Sequence, residues 1–126
     1  MIHSKLTLAA MAVLCLAVPA LAQSPDFNVT YHVERTPAAQ LSIETCGKVV
    51  TEAAASAGLG STSQSYPGQL VTVTGGEEGR GGFIVQCIAV EETTVSVVQG
   101  IDYGPQKGSL GEFADQAFAA VQAARD

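Results

Sequence analysis

Two cysteines, Cys46 and Cys87, constrain the fold of this chain more than any other feature of its sequence. They are the only cysteines after residue 22, so a single disulfide can form between them in an oxidising compartment. Such a bridge closes a loop of about 40 residues and contributes roughly 4 kcal/mol by the chain-entropy estimate. The alternative, two free thiols in redox chemistry, lacks the Cys-x-x-Cys spacing. We therefore predict a disulfide that joins two distant parts of one domain.

The first 22 residues have the pattern of a signal peptide. An apolar run over 6–17 is followed by Ala20 and Ala22, the small residues expected before a cleavage site at Gln23. This run of about 12 residues is shorter than the roughly 20 that a membrane-spanning helix needs. We predict a single domain over 23–126 that is exported to the periplasm or secreted, with no stable membrane insertion.

The predicted exported domain is acidic. Cleavage removes Lys5, one of six basic residues, so 12 acidic residues face five basic ones and the net charge is -7. The basic residues are scattered along the sequence, and a domain of this charge repels phosphate groups. The composition therefore argues against nucleic acid and anionic lipid surfaces as partners.

Alternation of apolar and polar residues over 27–34 predicts a first strand whose wet face carries His32 and Glu34. The dry face comprises Phe27, Val29, Tyr31 and Val33. Thr36 and Pro37 then have the pattern of the N-cap and first residue of a helix that ends at Gly58. Cys46 lies on the apolar stripe of this helix and is predicted to face the core.

The second half of the chain predicts three further strands, at 69–74, 83–90 and 94–101. The segments 60–68 and 75–82 are rich in Gly or Ser and predict loops, the second a long, mobile hairpin loop. A capping box formed by Ser109 and Glu112 predicts a last helix. The order β-α-β-β-β-α indicates a two-layer α+β sandwich: an antiparallel meander with helices packed on one face, tied together by the disulfide.

The strand at 83–90 is apolar on both sides. If Cys87 meets Cys46, the side that carries Cys87 is covered by helices, and Ile84, Ile88 and Val90 lie on the opposite face. An apolar patch of this kind is seldom left open to water. We expect either a tail of the same chain or a second subunit to cover it, the second case being a homodimer through the open sheet face.

His32 and Glu34 are the candidate metal ligands. His32 is the only histidine after residue 22, and two ligands are fewer than a structural zinc site requires. A periplasmic metal-binding role would need further carboxylates from other strands or another subunit. No motif in the sequence indicates a cofactor.

Charged loop residues form a second candidate site, a recognition surface for a protein or small-molecule partner. If the first two strands run parallel, topology gathers these residues at one end of the sheet. They are Arg35, Glu77, Glu78, Arg80, Asp102, Tyr103 and Lys107. The alternative is a set of polar loops that are merely hydrated.

Few residues could carry catalysis. The serines at 61, 63 and 65 lack a Gly-x-Ser-x-Gly elbow, and the acidic pairs at 77–78 and 91–92 lie at opposite ends of one predicted strand. A small hydrolase-type enzyme is therefore the weaker alternative, and a cleft lined by aliphatic residues would instead favour an apolar ligand. We expect a small, exported, non-catalytic binding or accessory protein, with its ligand unspecified by the sequence.

Overall fold

Five strands form one antiparallel sheet with two helices on one face in the computed structural model, which describes residues 26–126. The strands are β1 (Asn28–Pro37), β2 (Gly60–Tyr66), β3 (Leu70–Glu77), β4 (Gly81–Val90) and β5 (Thr93–Asp102). The helices are α1 (Ile43–Ser56) and α2 (Ser109–Ala123). The strand order β1-β5-β4-β3-β2 confirms the predicted α+β sandwich and its antiparallel meander. The predicted signal peptide lies outside the described residues.

The predicted disulfide is confirmed and lies at the centre of the core. Cys46 of α1 and Cys87 of β4 are joined by a bond of 2.04 Å, and both residues are fully buried. Around them pack the apolar residues of both helices and of the inner side of the sheet, among them Val50, Val73, Phe83, Val85, Val98, Leu110 and Phe113. No helix in residues 26–126 is long and apolar enough to cross a membrane.

A fifth strand, β2, occupies most of the segment that the sequence predicts as a loop. The Pro67 and Gly68 pair forms only the turn between β2 and β3: Gly68 has φ 73° and the Gln69 N–H donates to the Tyr66 carbonyl at 2.9 Å. All seven residues of β2 are exposed because it is an edge strand that the helices leave uncovered. Because no residue of β2 is buried, the strand is rich in serine and other polar residues. This composition is the same as that of a loop, so composition alone predicts a loop.

The first helix begins later than predicted. β1 continues through Thr36 and Pro37, and Ser42 is the N-cap residue of α1, its hydroxyl accepting from the Thr45 N–H at 3.0 Å. Thr36 is buried beside Thr94, so strand pairing prevails over its capping tendency. At the C-terminal end the prediction is confirmed: Gly58 has φ 73° and the Leu59 N–H donates to the Ala54 carbonyl at 2.9 Å.

The prediction of a long mobile loop at 75–82 is wrong. β3 extends to Glu77 and β4 begins at Gly81, so only a tight turn around Gly79 remains. Gly75 is a strand residue on which a Cβ atom would collide with the Gly60 carbonyl oxygen and the Phe83 ring. Its glycine is needed for close packing over Phe83 rather than for mobility.

The two faces of β1 are the reverse of the prediction. His32 and Glu34 point toward the helix layer, whereas Val29, Tyr31 and Val33 lie on the uncovered face and are 44%, 69% and 53% exposed. The prediction assumed that the apolar side of an alternating strand faces the core. Here α2 meets β1 through polar contacts, and the apolar side joins the open face of the sheet.

Candidate functional site

His32 lies in a polar cluster between β1 and α2. Its Nε2 atom is 2.8 Å from Oδ1 of Asp115, and its ring stacks on Phe118 with 4.4 Å between centroids. Lys107 donates to the other carboxylate oxygen of Asp115. The hydrogen bonds from Lys107 and then His32 lower the pKa of Asp115 below its ordinary value. The cluster fastens the middle of α2 to the edge strand of the sheet.

Glu34 is engaged separately from His32. Its Oε1 atom accepts from the Arg125 guanidinium at 2.6 Å, and the Asp126 N–H donates to the Gln40 carbonyl at 3.0 Å. The structure therefore places the two candidate metal ligands in two different ion pairs along one face of β1. Within residues 26–126, no three His, Cys, Asp or Glu side chains converge on one point.

Asp102 is the capping residue of α2, a role that the sequence did not reveal. Its carboxylate is buried and accepts from the backbone N–H groups of Gly108, Leu110 and Gly111 at 2.8, 3.0 and 2.9 Å. The predicted capping box is absent from this helix: Gly108 is the N-cap residue and makes no side-chain cap bond. A carboxylate from the end of β5 thus satisfies donors that a local serine was expected to satisfy.

The residues of the predicted recognition surface divide between the two ends of the sheet. Arg35 pairs with Val95 near the start of β5, whereas Asp102 ends that strand beside Gly81. The two ends are separated by seven residues of β5, roughly 23 Å at the rise of an extended strand. Since β1 and β3 run antiparallel, the predicted gathering of Arg35 with the other six residues does not occur.

Glu77, Glu78, Arg80, Asp102 and Tyr103 remain at one end, with Lys107 directed toward α2. Within this group Arg80 Nε is 3.4 Å from a Glu77 carboxylate oxygen, and the Tyr103 N–H donates to the Arg80 carbonyl at 2.8 Å. A cavity of about 230 Å³ lies between Arg80, Tyr103 and the start of α2. Its one carboxylate, that of Asp102, already accepts hydrogen bonds from backbone N–H groups at the start of α2. The cavity therefore surrounds the cap of this helix.

A groove of about 380 Å³ runs between the outer surfaces of the two helices. Alanines of both helices line it together with Val49, and Glu52 and Ser56 lie in the same lining. Short side chains on facing helices leave such a furrow where larger ones would interdigitate. The groove is a consequence of alanine-rich helix packing.

The open face of the sheet is the side away from both helices, and its side chains take no part in the ion pairs and caps described above. Its members are every second residue along each strand and align across the sheet by register. The apolar members are Val29, Tyr31, Val33, Tyr66, Leu70, Ile84, Ile88, Val90, Val95, Val97 and Ile101. They are half-buried or exposed in the single chain.

This open face contains no carboxylate. All 12 acidic residues lie within 26–126, and none occupies a strand position of the open face. Arg35 is the one charged side chain among those strand positions; the polar members are threonines and glutamines such as Thr72, Gln86 and Gln99. Negative charge is thus excluded from the strand positions of one broad surface of an acidic protein.

The β4 part of this face agrees with the prediction from the sequence, and the β1 part does not. Ile84, Ile88 and Val90 are on the open side as predicted, because the position of Cys87 fixes the orientation of β4. For β1 the available signal was the set of polar residues in α2 and just after it: Asp115 and Arg125 offer partners of opposite charge to His32 and Glu34. Those pairings would have directed the polar side of β1 inward.

Comparison with known proteins gives a family but no activity. No curated protein matches the chain in sequence. Residues 26–126 match the model of a family described as "Family of unknown function (DUF6180)". The match covers β1 through α2 and the residues after it, so it includes the disulfide, the Asp102 cap and the open face. The chain therefore belongs to this family of unknown function.

Proposed function

We propose that this protein is a small, exported, non-catalytic binding or accessory protein whose binding surface is the open face of the sheet. The observation that carries the proposal is the exclusion of carboxylates from this apolar face in a chain with 12 acidic residues. Isolated apolar residues are common on protein surfaces, but a contiguous patch of this extent is typical of an interaction site.

The shape of the open face favours a protein partner over a small molecule. Small-molecule sites are concave and enclose most of their ligand. A five-stranded sheet face presents a broad surface with residues from every strand, and its aromatic members, Tyr31 and Tyr66, are 69% and 58% exposed. Exposed tyrosines are enriched where proteins bind one another.

The polar clusters of the molecule have structural roles. His32 binds Asp115 and stacks on Phe118, and the Asp102 carboxylate is occupied by three backbone N–H groups. These groups hold α2 on the sheet, which supports a binding role over a catalytic one. Export is supported by the buried disulfide and by the signal-like first 22 residues.

Photo-crosslinking from two matched tyrosines tests this function. Tyr31 on the open face and Tyr103 at the loop end are 69% and 65% exposed, so they differ in location and not in accessibility. Each is replaced in turn by p-benzoylphenylalanine, and the protein is irradiated in the cells that export it. We expect a discrete cross-linked product from position 31, lost when Ile84→Glu is added, and none from position 103. Products from position 103 alone, or from neither position, would refute the proposal.

A further inference from the structure

We propose that the open face is covered by a second copy of this chain, in a two-fold symmetric, face-to-face dimer. This inference rests on the proposed function and specifies its partner. It starts from the size of the face. Five strands that each occupy a width of about 4.8 Å cover about 24 Å, and eight residues that each occupy about 3.3 Å along a strand cover about 26 Å. Each copy therefore offers roughly 600 Å², before the relief of the side chains is counted.

Two such faces together bury roughly 1,200 Å², which is the lower end of the range for stable, specific protein interfaces. Sheets that pack face to face are about 10 Å apart, with side chains of the two inner faces interdigitating. Dimerisation would convert the two-layer protein into a four-layer α-β-β-α assembly.

The charge pattern of the open face fits a copy of itself. An interface with two-fold symmetry places the same patch on both subunits, so a patch with several charges of one sign would repel its copy. Here the strand positions of the face within 26–126 carry one charge, that of Arg35, at the end of the sheet near Val95. The 12 acidic residues lie outside these strand positions; two of them, Glu91 and Glu92, form the turn between Val90 and Thr93.

The distribution of side chains suggests how the copies align. Apolar residues dominate β1, β5 and β4, whereas the open-face positions of β2 and β3 include Thr62, Gln64, Thr72 and Thr74. An axis that lies between the sheets and runs across the strands stacks each strand on its own copy. Apolar then meets apolar, and polar meets polar. Pairing through the free edges of β1 or β2 would leave this face open to water.

Sedimentation velocity of the exported protein, with a matched pair of variants, tests the dimer. The wild-type protein should sediment as a dimer at micromolar concentration. Tyr31→Glu puts an unpaired charge into the interface and should raise the dissociation constant about 100-fold or more. Tyr103→Glu makes the same change at an equally exposed residue outside the face and should leave the dimer intact. Circular dichroism checks that both variants are folded.

A mixing experiment specifies the alignment. If β1 of one copy lies over β1 of the other, Tyr31→Glu and Tyr31→Lys should each be monomeric alone and dimeric when mixed. Ile84→Glu, in the central strand, is a second variant that should abolish the dimer. A dimer that persists in both Glu variants would overturn the proposal, since its interface would lie elsewhere.

The outcomes separate this inference from the proposed function. A monomeric wild-type protein overturns the dimer. If position 31 then still cross-links to a different polypeptide, the face binds another protein and the proposed function stands. If position 31 gives no product either, both fail.

Discussion

The two faces of the sheet are built on different principles. The inner face combines a dry core around the Cys46–Cys87 disulfide with polar contacts at its margin, where β1 meets α2. The outer face contains apolar residues across its width, a single charge among its strand positions, and no helix over it within residues 26–126. Polarity therefore does not distinguish inside from outside in this fold. A face with this composition resembles half of an interface.

The contrast is most evident in β1, whose polar side chains face the helices and whose apolar side chains face outward. His32 and Glu34 point inward and pair with Asp115 of α2 and with Arg125 just after it, while Tyr31 and Val33 point outward. Alternation predicts correctly that this segment is a strand, but it does not tell which side is covered. The orientation depends on partners that are 83 and 91 residues away in sequence.

Removal of the disulfide should give the largest loss of stability on the inner face. The double variant Cys46→Ala, Cys87→Ala releases a loop with a sequence separation of 41 residues. We expect the free energy of unfolding to fall by about 4 kcal/mol, measured by urea denaturation. Wild-type protein unfolded with a reductant is the control and should show a similar loss. A change below about 1 kcal/mol would mean that packing alone holds α1 on the sheet.

Loss of the Asp102 cap should have the next largest effect. Asp102→Ala leaves three backbone donors at the start of α2 without their acceptor. We expect a loss of about 3 kcal/mol, because two of these bonds are buried. Asp102→Asn keeps one oxygen acceptor, so its free energy of unfolding should fall by less than that of Asp102→Ala. Equal losses in both variants would show that the charge at the helix N-terminus dominates.

A pair of neighbouring valines compares the two faces directly. Val98→Ala opens a cavity in the core, where this residue is fully buried, and should lower stability by about 2 kcal/mol. Val97→Ala changes the adjacent residue on the open face and should cost less than about 1 kcal/mol. Both are measured in a Tyr31→Glu background so that association of the open face does not contribute. Equal losses would mean that the open face is packed within the single chain.

Acid should weaken the polar margin of the inner face by a smaller amount. Lys107 and His32 lower the pKa of Asp115. The carboxylate therefore stays ionised to a lower pH in the native state than in the unfolded chain. The corresponding stability is present above the unfolded value of about 3.8 and is lost as the pH falls through the lowered native value. We expect Asp115→Asn to reduce the loss of stability between pH 4.5 and 2. The effect should stay below about 1 kcal/mol, because the pair is exposed.

Much of the fold could be predicted from local patterns. The helical stripe containing Cys46, the apolar strand containing Cys87 and the glycine at 58 are signals that act within a few residues. The even cysteine count then fixes how α1 lies on the sheet. The strand β2 was missed because all seven of its residues are exposed, so their composition resembles that of a loop.

The candidate site was harder to predict because it depends on contacts that are distant in sequence. Asp102 caps a helix that starts seven residues later, and no local capping motif includes it. Arg35 was grouped with the loops at the other end because the missing strand reversed the assumed direction of β3. Once β2 is recognised, the alternation of directions through the meander places every turn at its correct end.

Hydroxyl-radical footprinting of the exported protein tests the central claim, that the open face is covered in the working protein, whichever partner covers it. Tyr31 and Tyr103 have nearly equal exposure in the single chain, 69% and 65%, so their oxidation rates serve as mutual controls. We predict that Tyr31 is protected several-fold relative to Tyr103 in the native protein, and that the two rates become equal in the Ile84→Glu variant. Equal oxidation of both tyrosines in the wild-type protein would contradict the account, because the open face would then be free in solution.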